Sequence, residues 1–93
     1  MRISNEQQAF TKAFWANQNA EPYLFGSRVH DDKKGGDIDL LILSDHKITI
    51  DDKMQFLVNF FEKFGEQKID IIAYLKTDVD TFKQIALYNA VKL

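Results

Sequence analysis

The sequence predicts a small α/β (α+β) domain, a small mixed β-sheet with helices packed on it. Three observations predict it. Short apolar runs of strand type, Tyr23-Leu24-Phe25, Ile38 to Leu43 and Lys68 to Tyr74, are separated by stretches of helical periodicity. Capping residues precede those helical stretches, and Gly or Pro follows two of them. The length, 93 residues, fits one domain over residues 1–93 with no linker.

Each element has a local reason. Ser4-Asn5-Glu6-Gln7 forms a capping box, and Ala9, Phe10, Ala13 and Phe14 follow at helical spacing. A first helix is expected over Asn5 to Gln18, with Pro22 beyond its end. Tyr23-Leu24-Phe25 suits a buried strand entering a turn at Gly26. Arg28 to Gly36 is polar and reads as a loop, with room for a helical turn after Ser27. Ile38 to Leu43 is a second strand. A second helix fits Asp51 to Phe64, capped by Thr49 or Asp51 and ended by Gly65. On it Met54, Leu57, Val58, Phe61 and Phe64 make one apolar stripe. Phe56 and Phe60 widen that stripe beyond what one small sheet covers easily; such rings are more often core than interface, though a core this small leaves room for an interface role. Lys68 to Tyr74 is a third strand, and Asp78 or Asp80 starts a last helix through Phe82, Ile85, Ala86 and Leu87 toward Val91. No internal repeat is present.

Composition narrows the function. A chain this short buries only about 60–65% of the surface its unfolded form exposes. Eight Phe residues and a hydrophobic fraction of 45% suffice for a core and for some aromatic contact surface. Twelve basic and fourteen acidic side chains give a formal charge of −2, which argues against a broad nucleic-acid footprint. Arg28, Lys33 and Lys34 leave room for a local basic cluster. Without Cys there are no disulfides and no thiolate metal sites. The N-terminus is polar and no apolar run reaches membrane-spanning length, so a cytoplasmic protein is expected.

The chemistry concentrates in three places. Gly26 lets the backbone approach a phosphate, Ser27 adds a hydroxyl and an N–H, and Arg28 can bind a phosphate bidentately. Nine residues separate Ser27 from Asp37. Asp37 and Asp39 alternate with Ile38, Leu40 and Ile42, so they share one strand face with Cα atoms roughly 6.6 Å apart. Such a pair repels itself and attracts a divalent cation, best Mg²⁺, because the donors are oxygens. Asp70 sits among Ile69, Ile71 and Ala73 in the third strand. If that strand pairs beside Asp37–Asp39, Asp70 can join the metal site or accept a proton as general base.

Taken singly, each part has a plainer reading. Gly-Ser after a strand is usually a turn, and Asp-x-Asp is usually a solvated edge or a cap. Arg28 divides evenly between a phosphate contact and a surface salt bridge. Lys33 and Lys34 read as solvated loop, and His30 and His46 lack a second ligand at metal spacing. Asp70 resists dismissal, because an acid inside an apolar strand is costly unless exposed or paired. The combination carries the argument.

That combination resembles the DNA polymerase β-type nucleotidyltransferase superfamily. Within it, length and element order resemble the minimal nucleotidyltransferases (MNT proteins), which are paired with HEPN-domain toxins in toxin–antitoxin systems. The resemblance implies a polymerase β-like core in which Gly26 and Ser27 hold the triphosphate. It implies that Asp37 and Asp39 bind Mg²⁺ and that Asp70 completes the catalytic site. It also implies transfer of AMP from ATP to a tyrosine hydroxyl of the HEPN partner, in a hetero-oligomer with it. Larger relatives carry an added acceptor domain, for which this chain has no room. A partner is therefore expected to present the acceptor, with the extra Phe of the second helix and the apolar last helix as contacts. Two other readings stand beside this one: an antitoxin that neutralises by binding alone, and a nucleotidyltransferase acting on a small-molecule hydroxyl.

Overall fold

A computed structural model describes residues 3–26 and 38–93. Along the chain lie α1 (Asn5–Ala16), β1 (Ala20–Phe25), β2 (Ile38–Ser44), α2 (Ile50–Phe64), β3 (Ile69–Leu75), α3 (Thr81–Tyr88) and β4 (Val91–Lys92). The strands form one mixed sheet in the order β3-β2-β1-β4. β2 pairs parallel with β3, and β1 pairs antiparallel with both β2 and β4. The α/β expectation holds.

The helices begin where the caps predict. Ser4 and Gln7 close a capping box on α1, and Thr49 and Asp52 close one on α2. Asp80 caps α3 by accepting from Lys83 N–H. α1 stops at Ala16, short of the expected Gln18, because Asn19 turns into the left-handed region at φ 56° and leads directly into β1. β1 begins at Ala20 and contains Pro22. A proline fits there because its carbonyl accepts from Leu93 N–H, so its missing donor faces the two-residue β4 and not the β2 ladder.

Strand alternation divides the core between the two faces of the sheet. On one face Leu24, Ile38, Leu40 and Ile42 pack with Trp15 of α1 and Phe56 and Phe60 of α2. Ile69, Ile71 and Ala73 of β3 join this cluster, as the sequence predicts. On the other face Leu41 and Leu43 pack with Tyr23, Phe25, Tyr74 and, from α3, Ala86 and Leu87.

Two expectations need correction. Phe56 and Phe60 are not surplus: they are buried centres of the first cluster. The sheet alone does not cover α2, because α1 packs on it as well. The Phe10 ring lies 5.9, 6.0 and 5.8 Å from those of Phe56, Phe60 and Phe64. The exposed apolar residues of α2 are Ile50, Met54 and Val58, so the predicted stripe mixes core and surface positions. The last helix does not run on to Val91. It ends at Tyr88, and Val91–Lys92 pairs with Tyr23 and Leu24, which supplies the second edge of β1 with a partner.

Candidate active site

The site grows from the register of three strands. Phe25 of β1 lies opposite Asp39 of β2, and Asp39 lies opposite Asp70 of β3. Neighbouring strands are about 4.8 Å apart, so the two carboxylates start from adjacent points of the sheet. Both are in phase with Leu41, Leu43 and Tyr74, which places them on the α3 face. Asp39 is the one β2 residue that is not buried, and Asp70 is exposed. The strand therefore keeps its apolar ladder inside and opens at the carboxylates.

Gly26 closes the third side. Its φ of 76° lies in the left-handed region, which suits a residue without Cβ. It also leaves no room for a side chain. A Cβ on Gly26 would lie 3.2 Å from Asp39 Cγ and 3.4 Å from Asp39 Cβ, with the Oδ2 oxygen closer still. The turn glycine and the metal-ligand candidate are thus packed against each other. The sequence singles out both but says nothing of that contact.

Of the six residues that the sequence assigns to the site, the structure brings together Gly26, Asp39 and Asp70. Ser27, Arg28 and Asp37 lie outside the described residues, as does the predicted loop over 28–36. Among the described residues no three acids or histidines cluster as a metal site. Asp39 and Asp70 form a pair, and the third ligand that the sequence assigns is Asp37. Their donors are all carboxylate oxygens, which fits a hard divalent cation and offers nothing to a soft one.

The surroundings add what the sequence reading did not single out. Lys83 is buried, and its ammonium donates to the carbonyls of Leu75, Lys76 and Asp78 at 3.0, 3.0 and 2.9 Å. It thereby fixes the end of β3 and the start of α3. No sequence pattern distinguishes this lysine from an exposed one on an amphipathic helix. Phe82 of α3 packs edge-on against Phe25, with ring centroids 6.4 Å apart, yet stays about half exposed. Tyr74 has its phenol held above the usual value by desolvation and by the Asp80 carboxylate that accepts from it. His46 is exposed, in keeping with a surface role. The concavities at the start of α2, one of about 530 Å³ lined by Lys47 to Asp51 and Lys53, involve neither carboxylate.

No helix among the described residues is long and apolar enough to cross a membrane. A search of curated proteins finds no match to the chain. The sequence model of the family described as polymerase beta, nucleotidyltransferase, matches residues 13–92, a span that holds β1 to β4 and all six predicted site residues. With parallel β2 and β3 carrying registered acids and a left-handed glycine against one of them, this chain belongs to the polymerase β-type nucleotidyltransferase family.

Proposed function

We propose that this nucleotidyltransferase carries AMP from ATP to a tyrosine hydroxyl of a partner protein, a HEPN-domain toxin, and so acts as its antitoxin. The observation that supports catalysis over a purely structural domain is the Asp39–Asp70 register with Gly26 packed under Asp39. Registered acids on one sheet face, with a left-handed glycine against one of them, suit a divalent cation and a phosphate.

In this reading Asp37, Asp39 and Asp70 hold Mg²⁺. Mg²⁺ held there would supply charge neutralisation at the triphosphate. Gly26 and Ser27 seat the triphosphate, and Arg28 pairs with a phosphate oxygen. Asp70 accepts the proton of the attacking hydroxyl. The tyrosine oxygen forms a bond to the α-phosphorus, the α–β bridging P–O bond breaks, and pyrophosphate leaves with the electron pair. Partner contact falls on α3, where Phe82, Ile85 and Tyr88 are exposed, and not on the buried Phe56 and Phe60.

The test is intact mass of the product of the neighbouring gene, expected to be the HEPN-domain partner, after incubation with Mg²⁺, ATP and this protein. A gain of one or more AMP units, lost with Asp39→Asn, is expected. A stable complex with no gain in mass favours neutralisation by binding, for which the exposed Ile50, Met54 and Val58 of α2 offer a further surface. Transfer to a small hydroxyl compound in place of the protein favours the small-molecule reading.

A further inference from the structure

Among the described residues β3 is an edge strand: it pairs with β2 alone, and every one of its seven residues is at least partly exposed. The ladder fixes which groups face outward. Ile38 N–H donates to Lys68 carbonyl, and Lys76 N–H donates to Ser44 carbonyl. Even-numbered residues of β3 therefore point their backbone groups at β2, and Ile69, Ile71, Ala73 and Leu75 point theirs away.

One end of this edge is closed. Leu75 N–H donates to Asp78 Oδ2 at 2.9 Å, and Leu75 carbonyl accepts from Lys83 Nζ at 3.0 Å. The fold spends a buried lysine and a carboxylate on that residue. Among the described residues no hydrogen bond closes the outward groups of Ile69, Ile71 and Ala73. The open stretch flanks Asp70. Long apolar edges left open are templates for another strand, and proteins usually blunt them. Here blunting stops at Leu75.

We infer that an extended segment of the acceptor protein adds to this edge as an antiparallel fifth strand and presents its hydroxyl residue opposite Asp70. The inference rests on the proposed transfer to a polypeptide hydroxyl. Backbone bonds to Ile69, Ile71 and Ala73 hold the segment, as in other strand-addition complexes. The residue opposite Asp70 falls in a non-hydrogen-bonded pair, with Cα atoms about 4.5 Å apart and both side chains on one face. That face carries Asp39, so the tyrosine oxygen projects toward the carboxylates. It bonds to the α-phosphorus, pyrophosphate departs, and its proton passes to Asp70. A second copy of this chain fits the edge less well, because its own Asp70 adds another carboxylate beside Asp39 and Asp70.

The test uses the full chain, ¹⁵N-labelled, with Mg²⁺ and a non-hydrolysable ATP analogue. The probe is a tyrosine-centred peptide of alternating Thr and Val with a Lys at each end. One variant is N-methylated at the two residues flanking the tyrosine, whose amides face the edge. A control variant is N-methylated at the tyrosine itself, whose amide faces away. Hydrogen exchange of the outward Ile71 and Ala73 amides is expected to slow about fivefold or more per bond formed. The control peptide keeps that protection and the flank-methylated peptide loses it. No protection, or equal protection by both variants, overturns the inference. Protection without peptide that grows with protein concentration gives the edge to a second copy and also overturns it. Replacing the analogue with ATP separates the two claims. Protection without AMP on the tyrosine sinks the proposed transfer and leaves strand addition standing. AMP on the peptide without protection sinks strand addition and leaves the transfer standing.

Discussion

Replacing Gly26 by Ala tests the contact on which the site is built. Two costs arise, and the structure separates them. At φ 76° an alanine sits in the left-handed region, a penalty of about 1–2 kcal/mol. Its Cβ also lands on the Asp39 carboxylate, 3.2 Å from Cγ. Turning that side chain off its preferred rotamer costs about 0.5–1.5 kcal/mol more. The sum, about 1.5–3.5 kcal/mol, is a large part of a small domain's total of about 5–15 kcal/mol. Urea denaturation of Gly26→Ala, in the native and the Asp39→Ala backgrounds, measures both parts. In Asp39→Ala the carboxylate is gone and only Cβ remains at 3.4 Å, an ordinary contact. The backbone part then persists and the steric part vanishes, giving a coupling of about 0.5–1.5 kcal/mol. Nucleotidyl transfer falls sharply in the single variant because Asp39 is displaced. A cost below about 0.5 kcal/mol, or the same cost in both backgrounds, refutes the reasoning.

Three further outcomes follow from the packing. Phe56→Ala costs about 3–5 kcal/mol in urea denaturation, because Phe56 is fully buried among the rings of α1, whereas Met54→Ala costs less than about 1 kcal/mol. Lys83→Met removes three charge-assisted bonds from the end of β3 and costs about 1.5–3 kcal/mol, with hydrogen exchange of the Leu75–Asp78 segment accelerating first. Tyr23 and Tyr74 both have raised phenol pKa values, Tyr23 by burial and by the Glu21 carboxylate beside it. Below about pH 10 the phenols are neutral in both states, and above it the unfolded chain loses their protons first. Stability therefore falls as pH rises through the alkaline range, and Tyr23→Phe flattens that fall in a pH series of melting temperatures.

The local signals in the sequence were legible because short-range chemistry decides them. Ser4 with Gln7, Thr49 with Asp52, and Gly65 mark helix ends through contacts three or four residues apart. The alternation of Ile38, Leu40 and Ile42 with Asp39 gives the buried face of β2 without any knowledge of its neighbours. What the sequence hid depends on distant contacts. α2 is apolar on more than one side, and only the packing of α1 decides that Phe56 goes inside while Met54 stays out. Val91 follows a good helix, and only the free edge of β1 turns it into a strand. Asp70 was recognisable as an unusual acid in an apolar run. Its register opposite Asp39 is a property of the β2–β3 pairing, which no local pattern specifies.

The most direct test of the catalytic assignment is transfer of label from α-³²P ATP to the HEPN-domain protein proposed as its partner. The native chain, Asp39→Asn and Asp70→Asn are compared with Mg²⁺ and with chelator. Label is expected on the partner only with the native chain and Mg²⁺, while Asp70→Asn retains ATP binding. Asp39→Asn is expected to remain folded, so that its loss of transfer reports on the site and not on the fold. Transfer at the native rate by Asp39→Asn would contradict the account, because the carboxylate that Gly26 and Asp70 surround would then have no part in the reaction.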